Sequence, residues 1–160
     1  MDKIKSFSIN HLKLERGVYI MRKDKFNGIT ITTVDIRMKR PNREPVINTS
    51  ELHTIEHLGA VYLRNYSRLK DKVVYFGPMG CRTGFELVLV GDYESRELLE
   101  DIIATFEFIA NYEGDIPGQS AIECGNYLDH NLPMAKYHAQ DFLQDPLLNI
   151  KDSNLNYPME

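Results

Sequence analysis

A chain of 160 residues, 42% hydrophobic and 26% charged, has the size and composition of one globular domain, with a core burying roughly 70% of the surface its unfolded chain exposes. A formal net charge of −4 excludes the basic face that nucleic-acid binding ordinarily needs, and the short run Arg37, Lys39, Arg40 and Arg43 reads as a solvated loop after a strand. No apolar run approaches the ~20 residues that span a bilayer, the N-terminus lacks a signal-peptide core, and two cysteines in such a chain suit metal binding or catalysis better than a disulfide; a cytoplasmic protein with no membrane partner is expected.

In chain order, Ile4 to Leu14 alternates only weakly and reads as a short strand or an extended arm, with Ser6 and His11 its residues of interest. Val18 to Arg22 and Gly28 to Met38 read as an antiparallel pair of strands joined by the polar turn Lys23 to Asn27. In the second strand Thr30, Thr32, Val34, Ile36 and Met38 share one face, and Ile29, Ile31, Thr33, Asp35 and Arg37 share the other. Asn48-Thr49-Ser50-Glu51 then has the spacing of a helix N-cap followed by a glutamate. The spacing predicts a helix to about Leu69, with Leu52, Ile55, Leu58, Gly59, Tyr62 and Tyr66 as its apolar stripe, and Gly59 implies close contact with another backbone.

That helix carries His53-Thr54-Ile55-Glu56-His57. Residues four apart sit one turn apart on one face, so His53 and His57 can address a single ion while Glu56 on the same face serves as acid or base. The order H-x-x-E-H reverses H-E-x-x-H, and short patterns of this kind also arise by chance on solvated helices. A catalytic zinc-like site takes three protein ligands and keeps one position open, so a further donor must come from elsewhere in the chain. Two cysteines are available. Cys81 sits in the turn Pro78-Met79-Gly80-Cys81-Arg82-Thr83-Gly84, where free backbone N–H groups and Arg82 favour a thiolate; Cys124 follows a loop through Gly114, Pro117 and Gly118. Taken singly, each also fits an inert buried thiol.

Val73 to Phe76 and Phe85 to Gly91 flank the Cys81 turn as a second hairpin. Ser95 to Tyr112 is an amphipathic helix with Leu98, Leu99, Ile102, Ile103, Phe106 and Ile109 inward and Glu97, Glu100, Asp101 and Glu107 mostly outward. A third helix is expected from Met134 to Leu143; His138 on it and His130 before it fit ordinary polar residues better than ligands. Beyond Asp145 the chain turns polar, and a frayed tail from about residue 146 is expected. Hairpins interspersed with helices, without a βαβ rhythm, point to an α+β fold: an antiparallel β-sheet packed against about three to four helices, in a single domain over residues 1–160.

Ser6-Phe7, His11, Asp35-Ile36-Arg37, Pro41-Asn42, the His53 to His57 helix, the turn Pro78 to Phe85, and Cys124-Gly125 occur in an order and spacing that resembles the S-ribosylhomocysteine lyases, over nearly the whole chain. The resemblance implies a carbon-sulfur lyase that cleaves S-ribosylhomocysteine to homocysteine and 4,5-dihydroxy-2,3-pentanedione, the autoinducer-2 precursor of quorum sensing and a by-product of homocysteine recycling. It further implies a divalent metal on His53, His57 and Cys124, most often Fe2+ with Zn2+ or Co2+ also suiting the donors; proton transfer by Glu56 and Cys81; and substrate contacts from Ser6, His11, Arg37 and Arg64 in a homodimer whose N-terminal arm crosses to the partner. Tyr75 and Gly77 depart from the acidic residue and serine that some members carry at these places. Two competing readings are an H-x-x-E-H zinc peptidase and a non-catalytic module with a closed structural zinc, which would need a fourth protein ligand such as His130 or His138.

Overall fold

The computed structural model describes residue 4 and residues 7–158, so Ser6 lies outside the described residues. Strands β1 (Gly17–Phe26) and β2 (Ile29–Arg37) form the first hairpin. Its turn is Asn27-Gly28, with φ of 49° and 82°, the left-handed pair that matches the twist of two-residue hairpins. Strands β3 (Val73–Pro78) and β4 (Gly84–Val90) form the second, and β4 joins β2, giving a four-stranded antiparallel sheet in the order β1-β2-β4-β3. With helices α1 (Thr49–Asn65), α2 (Leu99–Ala110) and α3 (Leu132–Gln144), the fold is the expected α+β type.

Register divides the sheet into two unlike faces. Val18 pairs with Ile36 and Ile36 with Phe85; Val34 pairs with Leu87 and Leu87 with Phe76. Directly paired residues point the same way, so these rows make one hydrocarbon face, and it is buried with Ile55, Leu58, Ile102, Phe106, Ile109 and Phe142 of the helices. On the other face Tyr19 pairs with Asp35, Asp35 with Glu86 and Glu86 with Gly77. That face is polar, yet Asp35 is 0% and Arg37 3% exposed.

Part of the cover comes from the C-terminal segment, which does not fray. Leu147 and Leu155 join the core through short 3-10 turns at Leu147–Asn149 and Asp152–Asn154, and the Tyr157 ring stacks on Tyr19 with centroids 4.7 Å apart and planes 11° from parallel. Each polar turn there delivers one apolar side chain to the body of the protein, so a segment polar on average is still anchored by burial.

Helix α1 starts as its sequence predicts. The Glu51 carboxylate accepts from the Asn48 backbone N–H (3.0 Å) and from Asn48 Nδ2 (3.1 Å). It also meets buried His138 Nε2 of α3 at 3.0 Å, which tethers α3 to the start of α1. The helix ends at Asn65 rather than near Leu69, because the Ser67 hydroxyl donates to the Leu63 carbonyl (3.0 Å) and accepts from the Leu69 N–H (3.0 Å), closing a local turn. Gly59 faces the Phe76 ring of β3, not another backbone. Asp101, expected outward, is buried and receives Arg68 Nη2 at 2.8 Å. Among the described residues no helix is long and apolar enough to cross a membrane.

Candidate metal centre and thiol turn

One helix and one loop build the centre. On α1, His53 and His57 project from one face, and the loop before α3 passes over them. A carbonyl oxygen only accepts, so His53 Nδ1–H donates to the Asp129 carbonyl (2.9 Å) and His57 Nδ1–H to the Pro117 carbonyl (2.8 Å). Both tautomers are thereby fixed and each Nε2 keeps a bare lone pair, the state a metal ligand requires. Both Nε2 atoms face Cys124 Sγ of the same loop, at 3.3 and 3.9 Å. Gly118 (φ 73°) lets the loop come this close, since a Cβ there would stand 3.2 Å from His57 Nδ1. Two imidazole lone pairs and a sulfur converging on one point suit a divalent, borderline-soft cation.

A fourth side chain arrives with the loop. Donor atoms of His53, His57, Cys124 and His130 all lie within 4.8 Å of one another. Thr54 Oγ1 has a single proton, given to the Ser50 carbonyl as the helix requires (2.9 Å), and it accepts from the Asn131 N–H (2.9 Å). His130 Nδ1, 3.1 Å away, must then be the donor to that oxygen, which leaves His130 Nε2 with a lone pair. That atom is buried and unpartnered. Burial, then repulsion from His53 and His57, pushes the His130 imidazole down to about 4. From sequence His130 fits an ordinary polar residue better than a ligand, yet it joins the cluster, and its place in the same loop as Cys124 is the signal for that. His138, the other histidine considered, is away from the centre on Glu51.

Glu56 and His53 belong to two adjoining openings. One, of about 480 Å3, continues to Met79, Gly80 and Arg82 of the thiol turn; the other, of about 510 Å3, continues to His57, Phe76, Cys124 and Gly125. Cys81 lies exposed in that turn, which is closed by the Met79 N–H to the Gly84 carbonyl (2.9 Å) and holds Arg82 at φ 60°. Its Sγ is 3.0 Å from Thr83 Oγ1 and 3.8 Å from Arg37 Nη1, which also donates to Thr83 Oγ1 (2.6 Å). Asp35 fixes that guanidinium by accepting from Nε (3.1 Å) and Nη2 (2.6 Å). Burial opposes the Arg37 charge, but Asp35 outweighs it and the net shift is upward, so the side chain stays cationic.

The other sequence-selected residues are not gathered here. Arg64 is exposed on α1 and donates to the carbonyls of Val73 (3.2 Å) and Val74 (3.0 Å), tying the helix to β3. His11 Nδ1 bonds the nearby Ile9 carbonyl (2.9 Å), and His11 lines neither opening. Tyr75 and Gly77 prove to be coupled, because the Tyr75 hydroxyl occupies the space a Cβ at Gly77 would need. Burial first, then Glu56 and Glu86, push the Tyr75 phenol upward, which puts it within the field of Glu56.

The family model described as S-Ribosylhomocysteinase (LuxS) matches residues 4–153. S-ribosylhomocysteine lyase of Clostridium beijerinckii is 60% identical over 158 residues, covering 99% of this chain and 99% of that protein. The lyases so named from Finegoldia magna and Porphyromonas gingivalis are 58% and 52% identical over the same length, again covering 99% of each chain. With nearly its whole length matched and these donors converging, the chain belongs to the LuxS family of S-ribosylhomocysteinases.

Proposed function

We propose that this chain is a metal-dependent carbon-sulfur lyase that cleaves S-ribosylhomocysteine to homocysteine and 4,5-dihydroxy-2,3-pentanedione. The observation that carries the reading is the convergence of His53 Nε2, His57 Nε2 and Cys124 Sγ beside Glu56, in a chain 60% identical to a lyase of that name. A divalent cation held by these three donors supplies Lewis acidity to oxygens of the sugar. Around it the protein's own groups handle protons. A thioether leaves only once a carbonyl stands next to the carbon that gives up its proton, so the sugar carbonyl must first migrate along the chain. Each shift moves a proton between neighbouring carbons, and elimination removes one more while the C–S bond breaks to release the thiolate of homocysteine. Glu56 and Cys81 carry these protons, each such step being worth typically about 10² to 10⁴ in rate. Arg37, fixed by Asp35, stabilises negative charge on Cys81.

Fe2+ is the preferred ion, Zn2+ or Co2+ its substitutes. His11, Arg64 and Ser6 contact substrate within a homodimer, the chain forms a single cytoplasmic domain, and its product feeds quorum sensing. Family membership disfavours the peptidase reading. The deciding experiment incubates iron-loaded protein anaerobically with S-ribosylhomocysteine and follows free thiol, beside Cys81→Ala and Glu56→Gln. Release by the wild type alone supports the lyase and both proton carriers; no release from folded, metal-replete wild type overturns it.

A further inference from the structure

The polar face of the sheet holds a chain of contacts that starts at half-buried Tyr157 in the C-terminal segment, passes through buried Asp35 and Arg37, and ends on the exposed thiol. The Tyr157 hydroxyl donates to Asp35 Oδ2 (2.8 Å), the same oxygen that accepts from Arg37 Nη2 (2.6 Å). Arg37 then reaches Thr83 Oγ1 and Cys81 Sγ through Nη1. Tyr157 is held flat by its stack on Tyr19, whose own hydroxyl bonds only backbone carbonyls, of Glu15 (3.0 Å) and Ser153 (3.3 Å).

We infer that Tyr157 is a positioning residue for the Cys81 thiol, acting through Asp35 and Arg37. It rests on the reading of Cys81 as a proton carrier. A carboxylate with no exposure needs partners for its lone pairs, and the phenol supplies one that carries no charge. By sharing Asp35 Oδ2, Tyr157 lessens that oxygen's hold on the guanidinium, leaving more positive potential at Nη1 for Sγ. Without the hydroxyl, Asp35 has only Arg37 among these partners, and the guanidinium turns toward it and away from Thr83 and Cys81. The other charged groups near the turn are Arg82 within it, Glu86 paired with Asp35 and Gly77 on the same face of the sheet, and Glu56, His53 and Asp129 around the adjoining opening; among the described residues the side-chain hydrogen bond of Tyr157 goes to Asp35 and to none of these.

The test measures alkylation of Cys81 by iodoacetamide as a function of pH, in metal-loaded protein, with Cys124 modification counted separately by peptide mass and Cys81→Ala as blank. Tyr157→Phe keeps the stack and removes only the donor. Its profile is expected to move up by about half to one pH unit, with a several-fold lower rate at neutral pH and unchanged metal content. Tyr19→Phe deletes a hydroxyl from the same stack without touching Asp35, and is expected to leave the profile in place. A Tyr157→Phe profile that superimposes on the wild type overturns the inference, as does an equal shift in Tyr19→Phe, which would trace the effect to packing. Because alkylation reads the thiol directly, a lyase reading that failed by an active Cys81→Ala would leave this result standing on its own.

Discussion

The imidazole of His130 lies against that of His53 with ring centroids 4.0 Å apart and planes inclined by 19°. An imidazole nitrogen binds a metal in its own ring plane, at about 2.0 to 2.1 Å for zinc. Planes so nearly parallel meet far beyond that reach, so the lone pairs of His53 and His130 would not both be directed at one ion. On this geometry His53, His57 and Cys124 would hold an ion, with His130 a neighbour and not a fourth ligand.

His130→Phe should accordingly retain one metal per chain, measured by elemental analysis after gel filtration, while His53→Phe should lose it. The phenyl ring preserves the stack and removes the lone pair. Metal loss in His130→Phe equal to that in His53→Phe would make the site a closed four-ligand one.

Acid should weaken the fold in two stages. Burial, then Lys39, holds the His138 imidazole below its ordinary 6.5, only partly offset by Glu51. The unfolded chain then binds more protons than the native one as pH drops below about 6.5, so this contribution is present above that value and is lost below it. Burial raises Glu51, Glu44 and Asp141, but Asn48 and His138 at the first, Arg16 and the Arg40 backbone at the second, and Lys39 and Arg16 at the third outweigh it, leaving all three low. Their stabilisation is present above about 4.5 and lost as pH falls through their native values. Urea unfolding between pH 7.5 and 3.5 should show both declines; His138→Gln should lessen the upper one, to which His130 also contributes, and with it the part of the lower one that Glu51 owes to His138, and an unchanged upper decline in that variant would assign it elsewhere.

Gly59→Ala sets about 1 kcal/mol of helix propensity against overlap with the Phe76 ring. Phe76 is buried and stacked on Phe85 with centroids 5.1 Å apart, so the ring has little room to yield. Overpacking of this kind costs typically about 1 to 3 kcal/mol, and a net loss of roughly 1 kcal/mol is expected in denaturant melts. A more stable variant would mean that β3 shifts freely under α1.

Gly77→Ser should evict the Tyr75 hydroxyl from its place over residue 77. Tyr75 is 47% exposed, so the ring can swing outward and stability should change by no more than about 0.5 kcal/mol. The effect belongs in substrate affinity, with KM altered several-fold and kcat less so. Gly77→Ser and Tyr75→Ala should then combine non-additively in KM; strict additivity would show that the two positions act separately.

What the sequence disclosed depended on how local the signal was. The Asn48 to Glu51 cap and the His53, Glu56, His57 face follow from spacing within a turn or two of helix, and the structure has both. Cys81 and Cys124 each fit an inert thiol when taken singly, and only their order along the chain with the other motifs marks them out. His130 is not distinguished from an ordinary polar residue in the sequence because its place depends on a loop that returns to Thr54 across a separation of 76 residues, which no local periodicity records. The C-terminal segment hides its anchoring for a related reason: its apolar residues are sparse, and only the tertiary fold shows that Leu155 and Tyr157 have a surface waiting for them. Asp101 looked like a solvent-facing charge because its partner, Arg68, precedes the next hairpin.

The loop over α1 contributes Cys124 together with the two carbonyls, of Pro117 and Asp129, that set the tautomers of the helix histidines. Lifting this loop would thus remove one donor and free the tautomers of the other two. Release of an ion held there would then be a single event tied to opening of the loop, and not the successive rupture of three independent bonds. Exchange of one metal for another should then keep pace with amide hydrogen exchange along that loop, making residence time a property of backbone breathing as much as of coordination chemistry.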